Sequence, residues 1–341
     1  MNDSKKFRFL IIGLGSMGKR RIRNLFANGE HTIVGFDIRP GRNEEAKTKY
    51  GVKVIDSFNE VNPDNFDAVI ISTSPEAHGD YIRFALKNKK HFFVEHPVSS
   101  DGYDDIFKNK NLDIVKAPSC TPRHSPAIKA IRKILDSGRI GKILAFQHHM
   151  GQYLPDWHPW EDYRQVYFSK KETSACREML PFELIGINYL MQSKVTEISG
   201  TIAKISDLDM DADDIILATA KYENGIRGSL IIDVVSRKPI VVLRIIGSEG
   251  VLEWDKYGLT IKVYDIKSDK TENIDLPKGH AEPNYVNPEE PYNDEIKAFL
   301  GAMRGENEYP HTFADNHQLL ETLYALEESS RTGKVVFVKN I

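Results

Sequence analysis

Short apolar runs alternate with helix-patterned stretches along the first third of the chain. Residues 7–12, 32–36, 68–71 and 91–94 are four to six residues long and mostly β-branched or aromatic, the texture of parallel strands buried on both faces. Residues 19–27, 42–50 and 76–87, between them, read as helices. Such repetition predicts a doubly wound parallel sheet with right-handed crossovers. A turn at 117–122 leads to one more helical stretch, 126–136, closed by Ser137-Gly138. Near residue 140 the pattern changes. A strand at 143–149, an aromatic-rich loop at 151–167 and a helix at 177–192 precede long runs at 197–205, 215–222, 227–235, 241–246 and 260–265. Asn224-Gly225 separates two of these runs and predicts a hairpin turn with positive φ at both positions. Two helices, 291–303 and 314–330, and a last strand, 334–338, follow a polar, Pro-rich loop at 280–291. The expected architecture is α/β: a doubly wound domain over 1–122, then an α+β domain over 123–341 with an open, mostly antiparallel sheet.

Composition narrows the function classes without choosing one. The 341 residues are enough for two domains of ordinary size,. Lys plus Arg number 46 against 49 Asp plus Glu, a net charge of −3. A nucleic acid or an anionic membrane needs a clustered basic excess, so neither is an expected partner. No apolar run approaches the roughly 18–20 residues that cross a bilayer. The opening Met1-Asn2-Asp3-Ser4-Lys5-Lys6 lacks the apolar core of a signal peptide,. Only Cys120 and Cys176 occur, too few for a disulfide framework or a Cys-rich zinc site,. A cytoplasmic protein is expected.

Gly13-Leu14-Gly15-Ser16-Met17-Gly18 directly follows the first strand and opens a helix. In that context GxGxxG is a dinucleotide-binding loop. The first glycine makes the turn, the second admits a pyrophosphate, and the third lets helix and strand pack closely. The helix N-terminus adds free N–H donors and partial positive charge. Lys19, Arg20 and Arg21 on that helix either add charge toward the phosphates or, as is more usual for such residues on a helix, read as solvated. Asp37 lies 24 residues after Gly13, at the end of the second strand, near the offset of the acid that binds the adenosine ribose and repels a 2′-phosphate. NAD is therefore the expected cofactor, with NADP as the alternative because Arg39 and Arg42 can pair with a 2′-phosphate.

The block Asp67-Ala-Val-Ile-Ile-Ser-Thr73-Ser-Pro75-Glu-Ala-His78, the later Lys90-His-Phe-Phe-Val-Glu95-His96-Pro97 and the glycine loop together resemble one family. It is the glucose–fructose oxidoreductase, inositol 2-dehydrogenase and rhizopine catabolism (Gfo/Idh/MocA) family of NAD(P)-dependent oxidoreductases. Arg139-Ile-Gly141-Lys142-Ile143 is similar to its entry into the second domain, Gly247-Ser-Glu-Gly250 to its sheet turn, and Ser329-Ser-Arg-Thr-Gly-Lys-Val-Val to its C-terminal signature. The resemblance implies a Rossmann domain followed by a substrate-binding and oligomerisation domain. The open sheet face of that second domain implies a homodimer or homotetramer. It also implies cofactor contacts from Thr73, Pro75, His78, Glu95 and Pro97, the glutamate touching the ribose next to the nicotinamide. The family's lysine, which handles the proton of the reacting hydroxyl, is replaced here by His96. Histidine titrates nearer neutrality than lysine and can serve as base. The family pattern of an Asp and, four residues on, a His is also altered. Glu178 stands for the Asp, and either Phe182 or, with a one-residue shift, Pro181 for the His.

Residues 151–164 hold two of the three tryptophans, two tyrosines, two prolines, three acids, one His and one Arg. Aromatic faces beside carboxylates and amides suit sugar recognition; an aromatic loop at a subunit interface is the alternative. Gln152, Trp157, His158, Arg164 and Glu183 are the expected substrate contacts, and Tyr163 and Glu178 the expected partners of His96 in catalysis. Arg123, Arg164 and Arg177 are expected to converge on an anionic group. No metal is expected. Adjacent His148 and His149 face opposite sides of a strand, and His158 with Asp156 and Glu161 reads as a solvated loop. Two functions follow: hydride transfer to or from a sugar-like CH–OH, or a cofactor-binding regulator or scaffold without activity.

Overall fold

The computed structural model describes residues 5–96, 98–157, 159, 161–283 and 285–340. The chain runs β1 (Arg8–Ile12), α1 (Ser16–Ala27), β2 (Thr32–Phe36), α2 (Pro40–Tyr50), β3 (Lys53–Val54), β4 (Ala68–Ile71), α3 (His78–Lys87), β5 (His91–Val94), α4 (Tyr103–Lys108) and β6 (Lys116–Pro118). It continues through α5 (Thr121–His124), α6 (Pro126–Asp136), β7 (Ile143–Tyr153), α7 (Ala175–Met191), β8 (Val195–Ala203), β9 (Ile215–Tyr222), β10 (Arg227–Asp233) and β11 (Val235–Gly247). Last come β12 (Gly250–Asp255), β13 (Thr260–Asp265), β14 (Lys270–Asp275), α8 (Glu290–Met303), α9 (Phe313–Thr332) and β15 (Val336–Phe337). Two compact units result: residues 1–121 with 279–317, and residues 122–278 with 318–341.

The first unit holds a parallel sheet in the order β3-β2-β1-β4-β5-β6. Its central register sets Ile11 beside Gly35 on one side and Ile70 on the other. Phe9, Ile11, Ile70 and Phe93 are fully buried and pack with Ile22 and Leu25 of α1 and Ile296, Phe299 and Leu300 of α8. Burial on both faces explains why these strands are apolar at successive positions. Thus α8, distant in sequence, completes this core.

The second unit carries nine strands in the order β14-β13-β12-β11-β7-β10-β9-β8-β15. All neighbours are antiparallel except β7 and β10, which run parallel. In β9, Ile216, Ala218, Ala220 and Tyr222 are buried while Leu217 between them is 45% exposed. That alternation is the signature of a sheet packed on one face. The turn between β9 and β10 departs from expectation. Only Gly225 has positive φ, +90°; its N–H donates to the Tyr222 carbonyl, and the Ile226 N–H to Asn224 Oδ1. A turn closed by one left-handed glycine does the work assigned to two. The first strand of this sheet, β7, runs to Tyr153, so Gln152 sits on a strand rather than in the aromatic loop. Two strands, β12 and β14, were not expected. No described helix is long and apolar enough to cross a membrane.

Candidate active site

The strand order of the parallel sheet reverses between β1 and β4, the position where such sheets bind ligands beyond their carboxyl ends,. Two segments meet there. Gly13 has φ +89°, and a Cβ on it would lie 2.4 Å from the Ser72 carbonyl oxygen; a Cβ on Gly18 would lie 1.8 Å from the Gly13 carbonyl oxygen. Both positions exclude a side chain, the first also by its backbone. Helix α1 starts at Ser16 with no side-chain cap and no acid in its first turn, which leaves its N–H groups for an anion. Met17 lies in that same turn.

Asp37 is buried at the end of β2. Its Oδ2 accepts from the Leu14 N–H at 2.8 Å and its Oδ1 from the Arg39 N–H at 2.9 Å. Arg42 Nη1 stands 3.4 Å from Oδ2. The acid expected to hold a ribose therefore also holds the glycine loop in shape. Arg39 is exposed.

On the other side of the switch, the Thr73 hydroxyl is buried and has no partner among the described residues. Pro75 is buried just before α3. His78 Nε2 lies 3.1 Å from the Thr73 carbonyl, which can only accept, so Nε2 carries the proton and Nδ1 is a bare acceptor. That Nδ1 too is buried without a partner among the described residues. Burial pushes His78 down to about 4, against the pull of the Thr73 carbonyl, Glu95 and Glu76. His96 is 7% exposed, and burial, reinforced by His311 and His78, pushes it down to about 3. The near-neutral titration expected of His96 does not hold in this setting. Desolvation of the imidazolium is the reason.

Glu95 has partners that sequence reasoning missed. Arg21 Nε donates to Oε1 at 2.7 Å and Nη2 to Oε2 at 2.9 Å, and Ser72 Oγ donates to Oε1 at 3.2 Å. Arg20 and Arg21, read above as solvated, are 3% and 0% exposed. The signal was available: Gly18, Arg21, Ile22 and Leu25 share one helical face. Arg20 closes on Glu289 at 2.9 Å and stacks 3.9 Å over the Tyr292 ring.

In the second unit, His148 Nε2 lies 3.0 Å from Glu183 Oε2 and His149 Nε2 2.7 Å from Asp233 Oδ2, opposite sides of β7 as the pleat requires. Gln152 Nε2 donates to the Tyr257 hydroxyl at 3.1 Å. Burial lowers the Lys256 ammonium and raises the Tyr257 phenol; Glu183 acts on both. His148, Lys256 and Tyr257 were not foreseen beside Glu183. The Trp157 ring packs edge-on against Phe168 at 5.6 Å. The Tyr163 hydroxyl accepts from the Asp209 N–H at 3.0 Å, and Glu178 Oε1 from the Tyr167 hydroxyl at 3.3 Å.

The three arginines expected to share an anion have separate partners. Arg164 chelates Asp162, with Nη2 at 2.7 Å from Oδ2. Arg177 Nε lies 2.7 Å from Glu327. Arg123 stacks 4.7 Å over the Tyr189 ring. An acid two residues away in sequence and one on α9 claimed two of them, which residue spacing did not reveal. Pro97 and His158 lie outside the described residues.

The family model described as an oxidoreductase family with an NAD-binding Rossmann fold matches residues 7–121, and the GFO/IDH/MocA C-terminal domain matches residues 128–253. An inositol 2-dehydrogenase of Rhizobium meliloti is 26% identical over 231 residues, 64% of this chain and 67% of the relative. A myo-inositol 2-dehydrogenase of Thermotoga maritima is 29% identical over 141 residues, 40% of this chain and 42% of the relative. The chain thus spans less than half the length of the latter. Among solved structures, a levoglucosan dehydrogenase in complex with NADH superposes with a TM-score of 0.84 at 19% identity, covering 99% of this chain and 100% of that one. An Agrobacterium radiobacter oxidoreductase in complex with NAD+, L-tartaric acid and magnesium gives 0.86 at 16% identity, over 98% of this chain and 99% of that one. At these identities the likeness is one of fold.

Proposed function

Because the chain belongs to the Gfo/Idh/MocA oxidoreductase family and carries its NAD-binding Rossmann fold, we propose that it transfers a hydride between nicotinamide and a CH–OH group of a sugar-like substrate. The observation that carries this is the glycine cradle at the sheet's switch point, with the unpartnered Thr73 hydroxyl beside it. Bound NAD supplies a hydride acceptor at its nicotinamide ring.

The residues then divide the work. Gly13, Gly15, Ser16, Met17 and Gly18 receive the pyrophosphate on the N–H groups of α1. Asp37 faces the adenosine ribose and disfavours a 2′-phosphate, so NAD is preferred; Arg39 and Arg42 are the groups that would admit NADP. Thr73, Pro75 and His78 border the nicotinamide half, and Glu95 accepts from its ribose; Pro97 belongs to the same set. His96, whose charged form burial disfavours, accepts the substrate hydroxyl proton as the C–H bond delivers its hydride. Burial disfavours the imidazolium so formed,, and His96 gives the proton up to solvent water when the carbonyl product leaves.

Tyr163 and Glu178 assist by hydrogen bonds to substrate oxygens. Gln152, Trp157, His158, Glu183, Arg123, Arg164 and Arg177 form the substrate-binding set. Since Arg164 and Arg177 already face carboxylates, an uncharged sugar or polyol suits the set better than an acidic sugar or nucleotide sugar. Residues 1–122 would serve the cofactor and 123–341 the substrate and self-association into a dimer or tetramer, with residues 279–317 supporting the first. A cytoplasmic location agrees with two free, buried cysteines,.

A panel of polyols, acidic sugars and nucleotide sugars, read by NADH formation, tests the substrate class. His96→Ala is expected to lower turnover of the active substrate by about 10²–10⁴-fold, with NADH affinity held within a few-fold. Unchanged turnover removes His96 from the chemistry. The strong depression of His96 favours a second reading, a cofactor-binding regulator. NADH binding with no turnover across the panel would support it.

A further inference from the structure

Arg21 is a wholly buried cation on the phosphate-loop helix, and two carboxylates hold it. Its Nε and Nη2 grip both oxygens of Glu95, and Nη2 also lies 2.9 Å from Glu295 Oε2 on α8. Glu295, itself fully buried, accepts from Ser119 Oγ at 3.0 Å, from the Cys120 N–H and from Thr121 Oγ1 at 2.8 Å. The guanidinium stacks 4.5 Å over the Phe93 ring. Burial alone would weaken its hold on the proton, but the two carboxylates outweigh that and raise its pKa.

A buried ion pair is weak evidence for stability, since apolar residues of similar volume often do as well or better. Arg21 Nη1, moreover, is buried without a partner among the described residues, so the arrangement is not optimised for satisfaction. What it does provide is geometry. A bidentate guanidinium–carboxylate pair fixes both position and plane. Glu295 and Phe93 fix the guanidinium, which fixes Glu95. Of the three charged groups only Glu95 reaches the surface, at 13% exposure.

We propose that Arg21 is a positioning residue for the cofactor: it presents the Glu95 carboxylate in one orientation to the nicotinamide ribose and ties that orientation to the phosphate-loop helix. The proposal rests on the assignment of Glu95 to that ribose.

The test compares NADH with ADP, which fills the adenosine and phosphate positions but has no nicotinamide ribose. Both are measured by fluorescence or calorimetry on the full chain. Arg21→Lys keeps the charge and loses the fork. It is expected to weaken NADH about ten-fold and ADP less than about two-fold, raising the Michaelis constant for NAD more than it lowers the turnover number. A parallel loss of NADH and ADP, or no loss of either, overturns the proposal, because a general loosening of the fold acts on both. If Arg21→Lys does not fold, Ser72→Ala removes one bond to Glu95 and keeps the charges. A selective loss for NADH of about two- to three-fold is then expected, and an unchanged NADH-to-ADP ratio overturns the proposal. Glu95→Ala separates the two layers. If it leaves the ratio unchanged, Glu95 does not meet that ribose and the underlying assignment fails. If it is selective and Arg21→Lys is not, only the positioning role fails.

Discussion

Burying an imidazole that must stay uncharged makes folding depend on pH. His78 and His96 are held at about 4 and about 3 in the fold, against roughly 6.5 in an unfolded chain. Between those limits the unfolded chain binds protons that the folded one refuses. Stability is therefore fully present above about pH 6.5 and is lost as pH falls, down to about 4 for His78 and about 3 for His96. Each pKa unit corresponds to about 1.4 kcal/mol, so His78 alone accounts for roughly 3 kcal/mol. Proton uptake on urea unfolding near pH 5 should exceed that of His78→Gln by close to one proton, and the midpoint of acid unfolding should fall for the variant. Equal uptake would mean that His78 is not held neutral. The place of His78 was legible from its motif. Its tautomer and its depressed pKa were not, because the first is set by the fold of the backbone that aims the Thr73 carbonyl at the ring and the second by burial, neither of which residue spacing displays.

Glycine at the phosphate loop separates two ways in which an element needs that residue. Gly225, in the turn between β9 and β10, has positive φ but open space around its Cβ position, whereas Gly13 has positive φ and a carbonyl oxygen 2.4 Å away. Gly225→Ala should cost only the left-handed backbone strain, about 1–2 kcal/mol. Gly13→Ala adds a clash with the Ser72 carbonyl just past the end of β4 and should also abolish NADH binding, because the loop cannot move off Ser72 without pulling away from the end of β1. Thermal melts with and without NADH check both, and equal costs would refute the steric argument. Legibility at this scale followed burial. The strands β1, β4 and β5 announce themselves as continuous apolar runs because both faces are covered. The edge strand β14, Lys-Thr-Glu-Asn-Ile-Asp, buries none of its residues fully and carries no apolar signal. Conversely β12, whose Leu252 and Trp254 are buried, has the alternation but follows a Gly-rich turn that masks its start.

At the scale of the whole chain, sequence order and compactness disagree about what the first domain contains. Residues 1–122 hold all six strands of the parallel sheet, yet Ile296, Phe299, Leu300 and Met303 of α8 belong to its core. Burying each of these side chains contributes about 1.5–3 kcal/mol, and four together rival the 5–15 kcal/mol that stabilises an ordinary domain. Glu295 adds a second term. Without it, Ser119, Cys120 and Thr121 lose an acceptor, and Arg21 keeps only Glu95. A fragment ending at residue 122 is therefore expected not to unfold cooperatively in denaturant and not to bind NADH. The same fragment joined through a flexible linker to residues 279–317 should recover a cooperative transition and some NADH affinity. Cooperative folding of the short fragment alone would show that α8 is an accessory rather than a part of the core. Failure of the joined fragment, with the full chain folding normally, would place the missing stability in the second unit instead. Sequence periodicity had identified α8 as a helix but could not assign its partner. An apolar stripe records that a face is buried and not which distant strands bury it.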